Sequence, residues 1–325
     1  MSNILLFHQG AELIPEISAI ARGYNVIAVT PQSDLPALLP DTEIIAGYGG
    51  GLPKWVELAG PQLKWVQTWS AGVDALPLAE LQKLGVIVTN ASGIHGKPIA
   101  QSIFAFILSF ARGLDIAYKG QIQQAWAPPP DKLSEGIYTQ VFELAGTTIG
   151  ILGAGTIGTE TARIAKVFEM NTIGLATTSA PRKYFDKIYT SEDADKLYAE
   201  SDFVVNILPY TALTRKFVNA ASFGQMKKSA VYISVGRGPT TDNDALLKAL
   251  SRGTIARAGL DVTDPEPLTD GHPMWSAPNL YITPHFAGST QFYAERAAEI
   301  FLENLKAYVA EGKPTRNIVD LSAGY

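Results

Sequence analysis

The chain has 325 residues, 46% hydrophobic and 18% charged, with a formal net charge of −5 and no cysteine. That length suffices for two domains with sizeable cores, and the composition is that of a globular rather than a disordered protein. The acidic balance leaves no footprint for nucleic acid. The missing thiols exclude disulfides, Cys-ligated metals and thiol catalysis, and agree with a cytoplasmic location.

The opening segment, MSNILLFHQG, lacks the basic region and apolar run of a secretory leader and reads as a first strand. The apolar runs NILLF, NVIAV, EIIAG, LKWVQTW and VIVTN alternate with helical or turn segments. They predict a parallel sheet, since strands buried on both faces read as continuous apolar runs. Next, KPIAQSIFAFILSFARGL predicts a helix with Pro98 in its first turn, where a missing N–H costs nothing. It is apolar nearly all round, as a buried helix would be. Its uncharged stretch, Pro98 to Ala111, falls short of the roughly 20 residues of a membrane span.

After a loop-rich stretch over 125–141, a second alternation starts: TIGIL, TIGLA, FVVNIL, AVYISV, AGLDV and LYITP. A last helix over about 291–310 carries Phe292, Ile300, Phe301, Leu305 and Val309 on one broad face and stops near Gly312 and Pro314. The expected fold is α/β, two doubly wound parallel-sheet domains of Rossmann or flavodoxin type with a ligand cleft between them. Residues 1–97 with 288–325 are expected to form a discontinuous substrate domain, and 98–287 the dinucleotide domain.

Between TIGIL and the helix TETARIAKVF, the glycines Gly153, Gly155 and Gly158 spell G-x-G-x-x-G. The first permits a tight turn, the second lets backbone approach a pyrophosphate, and the third allows close helix–strand packing. The N–H groups of Thr156 and Ile157 would then face the phosphates. The acid that grips a ribose hydroxyl is expected about 20 residues on, yet residues 171–185 contain none. Thr177, Thr178, Ser179, Arg182 and Lys183 stand there instead, a set suited to a 2′-phosphate. NADP(H) is the favoured cofactor and NAD(H) the alternative; the bland reading of this stretch is a solvated loop.

Three later strand ends carry reactive side chains: Arg237 between glycines in SVGRG, Asp261 and Glu266 in AGLDVTDPEPL, and His285 in YITPHFAG. An Arg clamps a carboxylate bidentately, a His passes protons near neutrality, and a carboxylate fixes its tautomer. Each has a bland alternative: a phosphate ligand, a solvated loop acid, a strand cap. Together with a nicotinamide they are what hydride transfer to a 2-oxo acid requires.

In order and spacing, the Gly-rich turn, VGRG, AGLDV…PEPL and LYITPHFAG resemble the D-isomer-specific 2-hydroxyacid dehydrogenase family, in its glyoxylate/hydroxypyruvate reductase-like branch. The resemblance reaches back to LKWVQTWSAGVDAL and ASGIHGKPIAQSIFAFILSFARG, and forward through the last helix. It implies that Arg237 orients the substrate, that His285, paired with Glu266, protonates the carbonyl oxygen, and that Ala71, Gly72 and Val73 receive the substrate carboxylate. It also implies cofactor contacts at Val235, Asp261 and Gly288, with Leu208, Pro209 and Thr214 as the adenosine wall, and a homodimer.

Three positions depart from the family pattern: Gln101 where Glu is common, Ser234 where Asn is frequent, and Thr263 where an aromatic is usual. None removes a reacting group. His272 reads as a loop residue, His8 and His95 as cleft or hinge candidates, and no His spacing suggests a metal. The tryptophans read mostly as packing, with Trp69 as a substrate-wall candidate. Gly49–Gly51 supplies either substrate contacts or a flexible turn. A reading from another class, a dinucleotide-sensing corepressor on the same scaffold, has no long tail or basic arm to support it. No nucleic-acid or membrane partner is expected.

Overall fold

The computed structural model describes residues 1–7, 11–31, 33–47, 52–73, 75–126 and 141–323. The chain divides into two compact units, Met1–Ile94 with Thr290–Tyr325, and His95–Ser289.

The apolar runs of the first unit become β1 (Asn3–Leu6), β2 (Asn25–Ala28), β3 (Thr42–Ala46), β4 (Trp65–Gln67) and β5 (Ile87–Thr89). All pair in parallel, in the order β2-β1-β3-β4-β5, which is the flavodoxin-like winding. Successive side chains alternate between the faces. Leu5, Ile45, Val66 and Val88 enter one core with Val56 and Leu81, while Ile4, Leu6, Ile44 and Trp65 enter the other with Phe301 and Leu305. Each buried Leu, Ile or Val of this kind contributes about 1.5–3 kcal/mol.

The last helix, Tyr293–Glu311, ends where Gly312 turns left-handed at φ 77, the position that favours glycine. Ile300, Phe301 and Leu305 are buried, but Phe292 and Val309 are 44% and 43% exposed. Phe292 precedes the first helical residue, and Val309 lies at the edge of the buried stripe. Beyond the helix the chain runs along β5, with Ile318 bridging Thr89 and the Val319 N–H donating to Val88 O at 2.9 Å.

The second unit holds β6 (Thr148–Leu152), β7 (Asn171–Leu175), β8 (Lys187–Tyr189), β9 (Phe203–Asn206), β10 (Val231–Ser234), β11 (Arg257–Leu260) and β12 (Leu280–Ile282). Their order, β12-β11-β10-β9-β6-β7-β8, is the dinucleotide-fold order extended by one strand. The sequence reading did not anticipate β8, a three-residue edge strand that opens on a Lys. The Gly96–Ala111 helix packs Ile103, Phe104 and Ile107 against Ile149, Ile151 and Ile233. Apolar nearly all round and so expected to be buried, it is buried on one side, with Gln101 and Ala105 exposed. Two of the tryptophans expected to pack do not: Trp126 and Trp275 are exposed. Among the described residues no single helix is long and apolar enough to cross a membrane.

In-register pairing sets Leu152, Asn206 and Ser234 side by side, with Leu260 next. The segments after these strands therefore emerge together at one carboxyl edge of the sheet.

Candidate active site

At that edge the strand order reverses between β6 and β9, where open α/β sheets bind ligands. Gly153 follows β6 at φ 110, and its N–H and that of Ala154 both donate to Leu175 O at 3.1 Å. A Cβ on Gly158 would lie 2.2 Å from Gly153 O, so only glycine lets the Thr156–Val167 helix start this close to β6. A Cβ on Gly155 would meet nothing within 4 Å, which leaves space beside the turn. No side chain caps this helix, so the amides at Thr156 and Ile157 are left for an anion. The residues present fit the pyrophosphate of a dinucleotide.

Past β7, the positions of Thr177, Thr178, Ser179, Arg182 and Lys183 are all exposed. The next carboxylate, Asp186, is engaged at the opposite end of that strand. It accepts the Thr172 N–H at 2.8 Å and lies 2.5 Å from Lys166 Nζ. No acid therefore stands where a ribose diol would be gripped.

Arg237 is fixed by its neighbours. A Cβ on Gly236 would lie 2.6 Å from Leu208 O, and one on Gly238 1.8 Å from Thr263 O. The turn thus presses against two other strand ends at once. Arg237 Nη1 donates to Gly236 O at 2.9 Å, and Thr240 Oγ1 donates to Arg237 O at 2.6 Å. Beneath the turn, fully buried Asn206 donates to Thr240 Oγ1 and Tyr232 Oη, both at 2.9 Å, and accepts the Leu208 N–H at 3.1 Å. Leu208 and Pro209 lead into a turn in which Thr214 Oγ1 donates back to Pro209 O at 2.6 Å.

His285 adopts φ 51, an uncommon conformation for a residue with a Cβ. Asp261 accounts for the surrounding loop. It is 2% exposed, and its carboxylate accepts Thr283 Oγ1–H at 2.6 Å and the N–H groups of Phe286 and Ala287 at 3.0 and 2.9 Å. Its carbonyl accepts the His285 N–H at 2.9 Å. Thus presented, His285 bonds through Nδ1 to Glu266 Oε1. Both side chains remain partly exposed, at 46% and 38%. Thr263, where the family pattern has an aromatic, donates through Oγ1 to Pro265 O at 2.8 Å and so shapes the loop that bears Glu266. Val235 is buried, its N–H on Asn206 O at 3.0 Å. Gly288 O lies 3.2 Å from His95 Nδ1.

In the first unit, β4 runs into the loop of Ala71, Gly72 and Val73. Every carbonyl oxygen from Thr68 to Val73 is taken. Gln67 Nε2 donates to Thr68 O, Tyr293 Oη to Trp69 O, Thr68 Oγ1 to Ser70 O, Asn90 Nδ2 to Ala71 O, Ser70 Oγ to Gly72 O, and Leu76 N to Val73 O. The amide N–H groups of Ala71, Gly72 and Val73 find no acceptor among the described residues. Successive backbone N–H groups left available in this way can receive an anion.

Other candidates have plainer roles. Trp69 donates its indole N–H to Phe7 O at 3.0 Å and meets Phe301 edge-on, so it belongs to the core of its own unit. His272 accepts the Met274 N–H at 3.2 Å and caps a short 3₁₀ turn. His8 and Gly49–Gly51 lie outside the described residues. Among the described residues no group of three or more His, Asp or Glu is placed to ligate a metal ion.

Sequence reasoning missed Asn206, Asn90 and Tyr293 as supports of these loops. The one available signal was an amide at the carboxyl end of an apolar run, in FVVN and VIVTN.

The family model described as D-isomer specific 2-hydroxyacid dehydrogenase, NAD binding domain, matches residues 104–287. The human protein named glyoxylate reductase/hydroxypyruvate reductase is 32% identical over 302 residues, covering 89% of this chain and 90% of its own. Among solved structures, a D-isomer specific 2-hydroxyacid dehydrogenase family protein from Aeromonas salmonicida is similar with a TM-score of 0.84 at 30% identity, over 98% of this chain and 99% of that one. An NADPH-dependent glyoxylate/hydroxypyruvate reductase from Sinorhizobium meliloti gives 0.78 at 26% identity, over 99% of both chains.

Proposed function

The chain belongs to the D-isomer-specific 2-hydroxyacid dehydrogenase family, and from that premise we propose that it reduces small 2-oxo acids to D-2-hydroxy acids with NADPH as the preferred reductant. It is an oxidoreductase that takes a nicotinamide dinucleotide.

A reduced nicotinamide supplies the hydride that the substrate carbonyl carbon accepts. The chain's own residues do the rest. Arg237 pairs with the carboxylate and carbonyl of the 2-oxo acid and stabilises the negative charge that builds on the carbonyl oxygen. His285 turns Nδ1 to Glu266, which leaves Nε2 to deliver the proton that completes the hydroxyl. Glu266 stabilises the imidazolium that gives the proton. Ala71, Gly72 and Val73 take the carboxylate through their free amides. Thr156 and Ile157 offer amides to the pyrophosphate, with Val235, Asp261 and Gly288 assigned to the nicotinamide side. Leu208, Pro209 and Thr214 are assigned to the adenosine. Thr177, Thr178, Ser179 and Arg182 are assigned to the 2′-phosphate.

The single observation that carries this reading is the His285–Glu266 pair, set on a loop organised by buried Asp261 at the same sheet edge as Arg237. NADPH preference rests on the acid-free stretch after β7 and on Asp186 being tied down at that strand's other end. Loss of NADPH absorbance with glyoxylate, hydroxypyruvate, phenylpyruvate and branched 2-oxo acids tests the reading.

A homodimer is part of the proposal. Leu114, Tyr118 and Ile122 recur every four residues on the Leu114–Ile122 helix and are all exposed. That is an apolar stripe of the kind a second copy covers. Light scattering on the purified chain reports the mass directly.

A further inference from the structure

The residues that support the Ala71–Val73 loop lead away from it to the end of the chain. Asn90, 8% exposed at the end of β5, donates through Nδ2 to Ala71 O at 2.9 Å and accepts the Ser92 N–H on Oδ1 at 2.9 Å. Its own backbone is clamped in turn. The Asn90 N–H donates to Asn317 O at 3.1 Å, and Asn317 Nδ2 donates to Asn90 O at 3.0 Å and to Ser92 O at 2.8 Å. Asn317 sits at φ 56, a left-handed conformation that Asn tolerates better than most residues. The segment bearing it is anchored by Asn304, fully buried on the last helix, which accepts the N–H groups of Thr315 and Arg316 at 3.1 and 2.8 Å.

These bonds go beyond what holding a strand end requires. β5 is already paired to β4 along its length, and the tail is paired to it at Thr89 and Val88. The Asn90 amide adds one thing: it fixes the direction of the Ala71 carbonyl. In a trans peptide the Gly72 N–H lies in the same plane and points the opposite way, so its direction follows. We propose that Asn90 and Asn317 are positioning residues for the substrate carboxylate, by which the C-terminal tail aims the Gly72 amide and its neighbours. The inference deepens the proposed function and rests on the Ala71–Val73 loop being the carboxylate seat.

Two variants separate aiming from folding. Asn90→Asp keeps the acceptor for Ser92 and removes the donor to Ala71 O. Asn317→Gly keeps the left-handed backbone and removes both amide donors to Asn90 and Ser92. On the full-length protein, the readouts are KM and kcat for a 2-oxo acid, the Kd of oxalate as an unreactive dicarboxylate, the Kd of NADPH, and the melting temperature.

We expect both variants to raise KM and the oxalate Kd by about 5–10-fold, the worth of one misdirected hydrogen bond. In both, kcat should stay within about twofold, and the NADPH Kd should not change. A normal KM and oxalate Kd in folded variants overturns the inference while leaving 2-oxo acid reduction intact. A parallel fall in kcat and NADPH affinity also overturns it, since that pattern is general loosening. If the parent protein reduces no 2-oxo acid, the functional reading fails. Oxalate binding then still decides whether the tail aims an anion seat, and a parent that binds no oxalate overturns the inference.

Discussion

The Nδ1 atom of His285 is hydrogen-bonded to Oε1 of Glu266, although one residue follows β12 and the other follows β11. The bond occupies Nδ1 and leaves Nε2 as the ring nitrogen that Glu266 does not engage. Glu266→Gln retains the shape and loses the charge that stabilises an imidazolium. The expected result is a fall in kcat of roughly 100-fold or more, with the NADPH Kd unchanged in a fluorescence titration. A change in kcat of less than threefold contradicts the assignment of Glu266.

Asp261 is buried under the loop that presents His285, and its carboxylate accepts one hydroxyl and two backbone N–H groups. Asp261→Asn turns an N–H toward one of those donors and strands it. A loss of about 2 kcal/mol follows from the charged bond removed, which for a unit of this size lowers the melting temperature by about 4–8 °C. A fall in kcat is expected to accompany it, because the strained φ of His285 loses its support. A variant that melts and turns over like the parent would remove Asp261 from the account.

Arg182 tests cofactor choice. One charge-assisted hydrogen bond to a phosphate is worth about 1.5–3 kcal/mol. Arg182→Ala is therefore expected to raise the KM for NADPH by about 10–100-fold and leave that for NADH alone. Equal effects on both cofactors would return the stretch after β7 to plain surface.

Tyr24 and Tyr308 both donate to Glu43 Oε1, at 2.7 and 2.9 Å. Burial, and then the bond to the Glu43 carboxylate, push both phenols above the usual tyrosine range. Groups held protonated in the fold contribute fully below the unfolded pKa of about 10, and their contribution is lost as pH rises through the folded value. Stability should thus decline above about pH 10. In Tyr24→Phe with Tyr308→Phe that decline should be shallower, as read from melting temperatures between pH 8 and pH 11. An identical slope would show that the triad carries no alkaline sensitivity.

The sequence made the strand-rich framework legible because parallel strands buried on both faces carry continuous apolar runs, as ILL, IIA and FVV do within NILL, TEIIA and FVVN. It hid β8, because a three-residue edge strand with an exposed Lys187 carries too little of that signal. It also misjudged Phe292 and Val309, whose hydrophobicity says nothing about where the helix begins or how wide its buried stripe is. At the site, glycine spacing pointed to the turn at Gly153. Beyond an Asn at the end of an apolar run, nothing in single residues revealed that Asn206 braces the Arg237 turn, or that Asn90 and Tyr293 take the carbonyls of the loop before Val73. Such roles depend on which strand ends become neighbours, and that is a property of the winding rather than of any local pattern.

The most direct test of the account is the steady-state rate of the purified chain on a panel of 2-oxo acids, with NADPH and NADH compared in parallel, and with His285→Ala beside it. Expected are turnover of at least one 2-oxo acid to its D-2-hydroxy acid, a higher kcat/KM with NADPH than with NADH, and loss of roughly 100-fold or more in the His285→Ala protein. A folded parent protein that oxidises neither cofactor with any acid on the panel, or a His285→Ala protein as active as the parent, would contradict it.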